Sequence, residues 1–152
     1  MRVLIVGASR GLGRALFDGL TLDGHEVIGV SRSVPADLES GHADRWITAD
    51  FADPVAAAEA VSSETPGILD VVIYNLGIWD PAAFSDSYTY TDEEDATTLS
   101  LVATNISSPL LLLRRLVPKL LASPSPRIIL TGSTSGLPRS GRPELAFGAS
   151  KF

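Results

Sequence analysis

The sequence predicts a doubly wound α/β domain, a parallel sheet with helices on both faces. Three observations carry that expectation. Short apolar runs rich in β-branched residues alternate with stretches of helical periodicity along the 152 residues, the order that a parallel sheet with crossover helices requires. Runs such as Val71-Val72-Ile73 lack the in–out alternation of a half-solvated sheet, so they read as strands covered on both faces. A glycine-rich loop follows the first run directly and opens the first helix.

Residues 2–6 are the first strand, bounded by Gly7. From Gly11 onward Leu12, Ala15, Leu16 and Leu20 recur at helical spacing, and Gly24 ends that helix. Glu26 to Val30 is the second strand. Residues 31–45 mix Ser, Pro and charge and read as a loop with at most a short helix. Trp46 to Ala49 is the third strand, ending at Asp50, and Asp53-Pro54 supplies an N-cap and an N1 proline for an Ala-rich helix over 54–63. Leu69 to Tyr74 is the fourth strand.

A loop over 79–91 carries Trp79, Tyr88 and Tyr90. Thr91, followed three residues later by Glu94, forms a capping box for a helix that reaches about Ala122 and bends near Pro109. The acidic run Asp92 to Asp95 then favours the positive end of the helix dipole. Leu110 to Leu113, with Leu116 and Leu120, reads as helix core. Pro124 and Pro126 break the helix, Arg127 to Thr131 is the fifth strand, and a last helix begins near Pro143-Glu144.

Composition narrows the function classes. With 45% hydrophobic positions the chain holds enough apolar mass for a core, which excludes a disordered or low-complexity protein. The net charge of −6 argues against a nucleic-acid-binding body. The absence of Cys excludes disulfides and thiol chemistry, and His25 and His42 are too few for a metal site; both read as solvated. The N-terminus does not resemble an export signal, and the longest purely aliphatic stretch, Leu110 to Leu113, is closed by Arg114-Arg115, well short of a membrane span. A cytoplasmic protein with neither nucleic acid nor membrane as partner is expected.

In a doubly wound sheet, ligands bind outside the carboxyl ends of the strands. Gly7-Ala8-Ser9-Arg10-Gly11-Leu12-Gly13 stands at the first of these ends. Glycines there let the backbone turn tightly and approach a pyrophosphate, which the free N–H groups of a helix N-terminus stabilise. The second strand ends Val30-Ser31-Arg32, with no carboxylate to grip the paired ribose hydroxyls of NAD. Arg32 can pair with a 2′-phosphate, and Arg10 can reach the same group. The alternative is two solvated surface arginines. Convergence of two cations without an acid favours NADP(H).

These features, with further landmarks in the same order, resemble the short-chain dehydrogenase/reductase family over essentially the whole chain. The glycine loop at 7–13 matches its cofactor motif, and Asp50 matches the residue that contacts adenine. Asn75-Leu76-Gly77 resembles the family's Asn-Ala-Gly turn, with Leu for Ala. Asn105 matches the helix asparagine of the proton relay, Ser133 the serine that orients the substrate carbonyl, and Phe147-Gly148-Ala149-Ser150-Lys151 the Tyr-x-x-x-Lys motif. The resemblance implies a Rossmann-like sheet in the order 3-2-1-4-5, with later strands absent from this chain. It implies cofactor contacts at Gly7, Ser9, Arg10, Gly11, Leu12 and Gly13, at Ser31, Arg32, Asp50 and Phe51, and at Asn75, Gly77 and Lys151. Chemistry falls to Ser133, Asn105, Lys151 and position 147.

Position 147 departs from the pattern. The family's tyrosine protonates the substrate oxygen, and Phe147 has no hydroxyl. General acid catalysis contributes about 10²–10⁴-fold. Among the tyrosines, Tyr74, Tyr88 and Tyr90 are weak candidates for a substitute. Two function classes follow. One is an NADP(H)-dependent oxidoreductase acting on a small carbonyl or secondary alcohol. The other is a binding or regulatory module, or a Tyr→Phe knock-out, that keeps the cofactor and lacks the chemistry. Family members usually run about a hundred residues further, so residues 1–152 are expected to be the cofactor-binding front of a longer domain, and a homo-oligomer if complete.

Overall fold

The computed structural model describes residues 1–38, 41–137 and 144–151. Five strands, β1 (Arg2–Val6), β2 (Glu26–Ser31), β3 (Trp46–Thr48), β4 (Val71–Tyr74) and β5 (Arg127–Leu130), form one parallel sheet in the order β3-β2-β1-β4-β5. The helices are α1 (Gly11–Leu22), α2 (Pro54–Glu64), α3 (Asp95–Leu101), α4 (Ser108–Leu120) and α5 (Leu145–Lys151). The expected fold class and strand order both hold.

Alternation within the central strands feeds two cores. Leu4 and Val6 of β1 face Ala58 and Val61 of α2 and Leu112 and Leu116 of α4. Val3 and Ile5 point the other way, toward Phe17 of α1, Trp46 and Ile73. Phe17 is fully buried, with Trp46 edge-on at 5.1 Å and His42 at 6.0 Å. The solvated reading of His42 is therefore corrected: its ring packs against Phe17. The edge strand β5 leaves Ile128, Ile129 and Leu130 about half exposed.

The long helix differs from its sequence reading at both points that mattered. Its α-helical part starts at Asp95, with Glu94 rather than Thr91 before it, and no side chain caps it. Thr91 lies in a 3₁₀ turn, Tyr90–Asp92. The reason is Glu93, whose carboxylate accepts hydrogen bonds from Tyr88 (2.7 Å) and Thr98 (2.5 Å) and so fixes the chain outside the helix. The expected bend near Pro109 is a π-helical segment, Val102–Ser107. Pro109 has no N–H to give the Asn105 carbonyl, which interrupts the α ladder there, and the Ser108 amide bonds back to Ala103 instead.

From Asp95 to Leu120 the helix is long and apolar enough to cross a membrane, which the sequence reading did not anticipate. Here Leu112, Leu116 and Leu120 bury one face in the sheet core, whereas Leu110 is exposed, contrary to its reading as core. The last helix begins at Leu145; Pro143 lies outside the described residues.

Asp70, just before β4, joins three segments. Its carboxylate accepts from the Ser123 hydroxyl at 2.5 Å and the Arg2 amide at 2.7 Å. Those hydrogen bonds, the Ser123 one foremost, hold it below its ordinary value of 3.8. A depressed carboxyl adds stability above its unfolded value and loses it as pH falls through the folded one. Asp70→Asn is thus expected to lower the urea midpoint at pH 7 and to approach wild type at pH 3, which parallel denaturant melts would check.

Candidate functional site

The turns that follow β1, β2, β3 and β4 come together around a cleft of about 330 Å³. Gly7, Ser9 and Arg10 line it from the first turn, Ser31 and Arg32 from the second, Asp50 and Phe51 from the third, and Gly77 from the fourth. Four loops widely separated in sequence thus converge as the topology requires. Ser100 and Thr104 complete the wall from the long helix, along with Ile78. Sequence reading missed these three. The signal was available for the first two: a polar pair at i, i+4 beside Asn105.

The donors on this cleft are cationic and largely unengaged. Arg10 and Arg32 are exposed and form no ion pair among the described residues. Arg14, by contrast, is held by Asp18 at 2.9 Å and Asp37 at 3.1 Å. Helix α1 starts at Gly11 without a side-chain cap, so among the described residues its first-turn N–H groups have no side-chain acceptor. Asp50 accepts the Ala52 amide at 3.0 Å, which orients its carboxylate at the rim. The ring of Phe51 turns into the core and meets Tyr74 edge-on at 5.9 Å.

Five expected cofactor residues stand apart from the cleft wall: Gly11, Leu12, Gly13, Asn75 and Lys151. The Leu12 side chain points to solvent. Gly13 lies behind the loop, where a Cβ would stand 2.1 Å from the Gly7 carbonyl oxygen and 3.0 Å from Asn75 Nδ2. Asn75 accepts the Thr131 hydroxyl at 2.9 Å. Its side chain therefore braces the glycine loop against the ends of β4 and β5, a supporting place that spacing alone does not reveal.

A second cavity of about 300 Å³ shares Leu76 with the first and brings together Tyr74, Asn105 and Lys151. The Lys151 amine packs against Gly77, where a Cβ would lie 2.5 Å from Nζ. Burial pushes Lys151 below the usual lysine range. The Asn105 amide brackets Ile78, accepting its N–H and donating to its carbonyl, both at 2.9 Å. Phe147 is 9% exposed, with Phe84 edge-on at 6.0 Å. Ser133 sits at the head of the 3₁₀ turn Thr134–Gly136, its hydroxyl accepting the Ser135 amide at 3.2 Å. The remainder of that loop, 138–143, lies outside the described residues.

Two of the three tyrosines are occupied elsewhere. Tyr74 is buried and donates to the Thr104 carbonyl at 3.2 Å, and burial raises its pKa. Tyr88 donates to Glu93 and is pushed up to about 12, first by burial and then by that carboxylate. Tyr90 stands on an exposed turn.

A family model described as short chain dehydrogenase matches residues 1–152. The chain is 31% identical over 154 residues to the NADPH-dependent pterin aldehyde reductase of Arabidopsis thaliana, covering 91% of this chain and 58% of that protein. It is 32% identical over 150 residues to the cis-2,3-dihydrobiphenyl-2,3-diol dehydrogenase of Paraburkholderia xenovorans, covering 93% and 53%. The chain thus spans a little over half the length of these relatives. Its fold superposes on that of a short-chain dehydrogenase/reductase from Burkholderia vietnamiensis with a TM-score of 0.78 at 27% identity, covering 99% of this chain and 73% of that one.

Proposed function

The chain belongs to the short-chain dehydrogenase/reductase family, and on that premise we propose that it is the NADP(H)-binding part of an oxidoreductase. Family members use nicotinamide cofactors, and the Arabidopsis thaliana relative is named for its NADPH dependence. The observation that carries the phosphate-bearing form is the pair of unengaged guanidiniums, Arg10 and Arg32, on one cleft with no carboxylate at the end of β2. The donor set fits the group. The uncapped start of α1 and the close-packed glycine loop suit a pyrophosphate, and the Lys151 amine beside Gly77 suits a ribose.

When bound, NADPH supplies a hydride to a carbonyl carbon. The chain's own part is to orient. Ser133 offers a hydroxyl to a substrate oxygen, Lys151 holds a proton and a ribose, and Asn105 ties the loop after β4 to the helix. Titration with NADPH and NADH tests this reading; no saturable NADPH binding at micromolar concentrations overturns it. Charge-assisted hydrogen bonds contribute about 1.5–3 kcal/mol, so Arg32→Asp is expected to weaken NADPH by at least about tenfold while sparing NADH. Equal losses for both would remove Arg32 from phosphate recognition.

A specific observation favours a second reading. Phe147 is packed against Phe84 with no hydroxyl at the general-acid position, which suits a module that keeps the cofactor without turnover. Small-molecule carbonyls or alcohols are the substrates of the first reading and ligands at most in the second. The apolar stripe Leu99, Val102, Leu110, Val117 and Leu121 along the long helix supports a homo-oligomer, which light scattering would read.

A further inference from the structure

Ser150 lies between the two positions of α5 that the family motif names, and its side chain is buried at 7% exposure. Its hydroxyl donates to the Phe147 carbonyl at 2.8 Å and accepts from Asn105 Nδ2 at 2.9 Å. Since the same Asn105 amide brackets Ile78, one side chain joins three elements: the loop after β4, the π-helical segment and α5. Ser150 makes the side-chain hydrogen bond that brings α5 into this junction.

Helix α5 contacts the Thr134–Gly136 turn, the π-helical segment and α3. Its place is set by that docking. Two close approaches set how near it comes. A Cβ on Gly148 would lie 2.8 Å from the Ser135 carbonyl oxygen, and one on Gly77 would lie 2.5 Å from Lys151 Nζ. The amine is placed by a flexible four-carbon stem, so its position inherits any slack in the helix end that carries it.

We propose that Ser150 is a positioning residue for Lys151: through Asn105 it locks the end of α5 so that the Lys151 amine stays against Gly77. The proposal rests on the cofactor reading for one of its readouts and is independent of it for the other. A buried serine that merely fills space would leave Lys151 unaffected when replaced by alanine. A positioning serine would not.

The independent readout is the titration of Lys151 in the nucleotide-free protein, followed by NMR of its ε-carbon. Ser150→Ala is expected to move that titration back toward that of a solvated lysine, and Ser150→Thr, which keeps the hydroxyl, to restore it. The second readout compares two ligands. NADPH carries the nicotinamide ribose, whereas adenosine 2′,5′-bisphosphate carries only the adenosine half. Ser150→Ala is expected to weaken NADPH about three- to tenfold, the net effect of one buried hydrogen bond, with adenosine 2′,5′-bisphosphate unchanged. An unchanged Lys151 titration, or equal weakening of both ligands, overturns the proposal. Failure of the wild-type protein to bind either nucleotide overturns the cofactor reading instead, with the Lys151 titration still deciding the role of Ser150.

Discussion

Phe147→Tyr is expected to raise NADPH-dependent reduction of a test carbonyl by about 10²–10⁴-fold, the usual contribution of a positioned general acid. On the oxidoreductase reading the effect is this large because Ser133, Asn105 and Lys151 supply the other parts of the chemistry. Positions 147 and 151 are i and i+4 on α5, so a phenol at 147 shares a helix face with the Lys151 amine. A neighbouring ammonium favours the ionised phenol and lowers its pKa toward neutrality, where proton transfer is efficient. Neither Tyr74 nor Tyr88 supplies this already, since both hydroxyls are committed to other acceptors and both are shifted upward. The added hydroxyl leaves the ring at 147 in its contact with Phe84, so thermal stability should stay near that of the wild type. Steady-state assays of the full protein with and without the substitution check the expectation. A gain below tenfold, beside measurable wild-type turnover, would mean that water or another side chain delivers the proton. No wild-type turnover with activity restored by tyrosine would make the natural chain a binder.

Much of the architecture was legible because it follows from local chemistry. The strands announce themselves as unalternated β-branched runs, and Asp53-Pro54 marks the start of α2 by a cap that the structure shows, Asp53 accepting the Val55 and Ala56 amides. The glycine loop and Arg10 and Arg32 were legible for a related reason: the parallel topology forces the carboxyl ends of adjacent strands together, so residues far apart in sequence must meet. What was not legible depends on side chains answering one another. Thr91 and Glu94 have the spacing of a capping box, yet Glu93 is taken by Tyr88 and Thr98, and the helix starts later. Asn75 stands after β4 where the motif puts a cofactor contact, and its carbonyl oxygen also answers Thr131, which only the sheet brings near. Ser100 and Thr104 show in the sequence as a polar pair at i, i+4, but a helix sequence does not say which neighbour that face meets.

Gly13→Ala is expected to cost about 3 kcal/mol or more of stability and to abolish NADPH binding, the second large effect. The argument is steric and local. A Cβ at 13 would stand 2.1 Å from the Gly7 carbonyl oxygen and 2.9 Å from its carbon, both backbone atoms of a loop that is itself bonded to β2 through the Val30 carbonyl. Overpacking a site that can relax costs about 1–3 kcal/mol, and this one is held on two sides, by β2 and by Asn75 braced on Thr131. The loop must move, and with it the start of α1 that would receive the pyrophosphate. Gly77→Ala is the informative contrast. There the added carbon meets the far end of the Lys151 side chain, which can swing aside, so stability should change little while NADPH affinity falls. Chemical denaturation and nucleotide titration on both variants separate the two cases: a glycine required by the backbone loses the fold and the ligand together, and a glycine required by the site loses only the ligand.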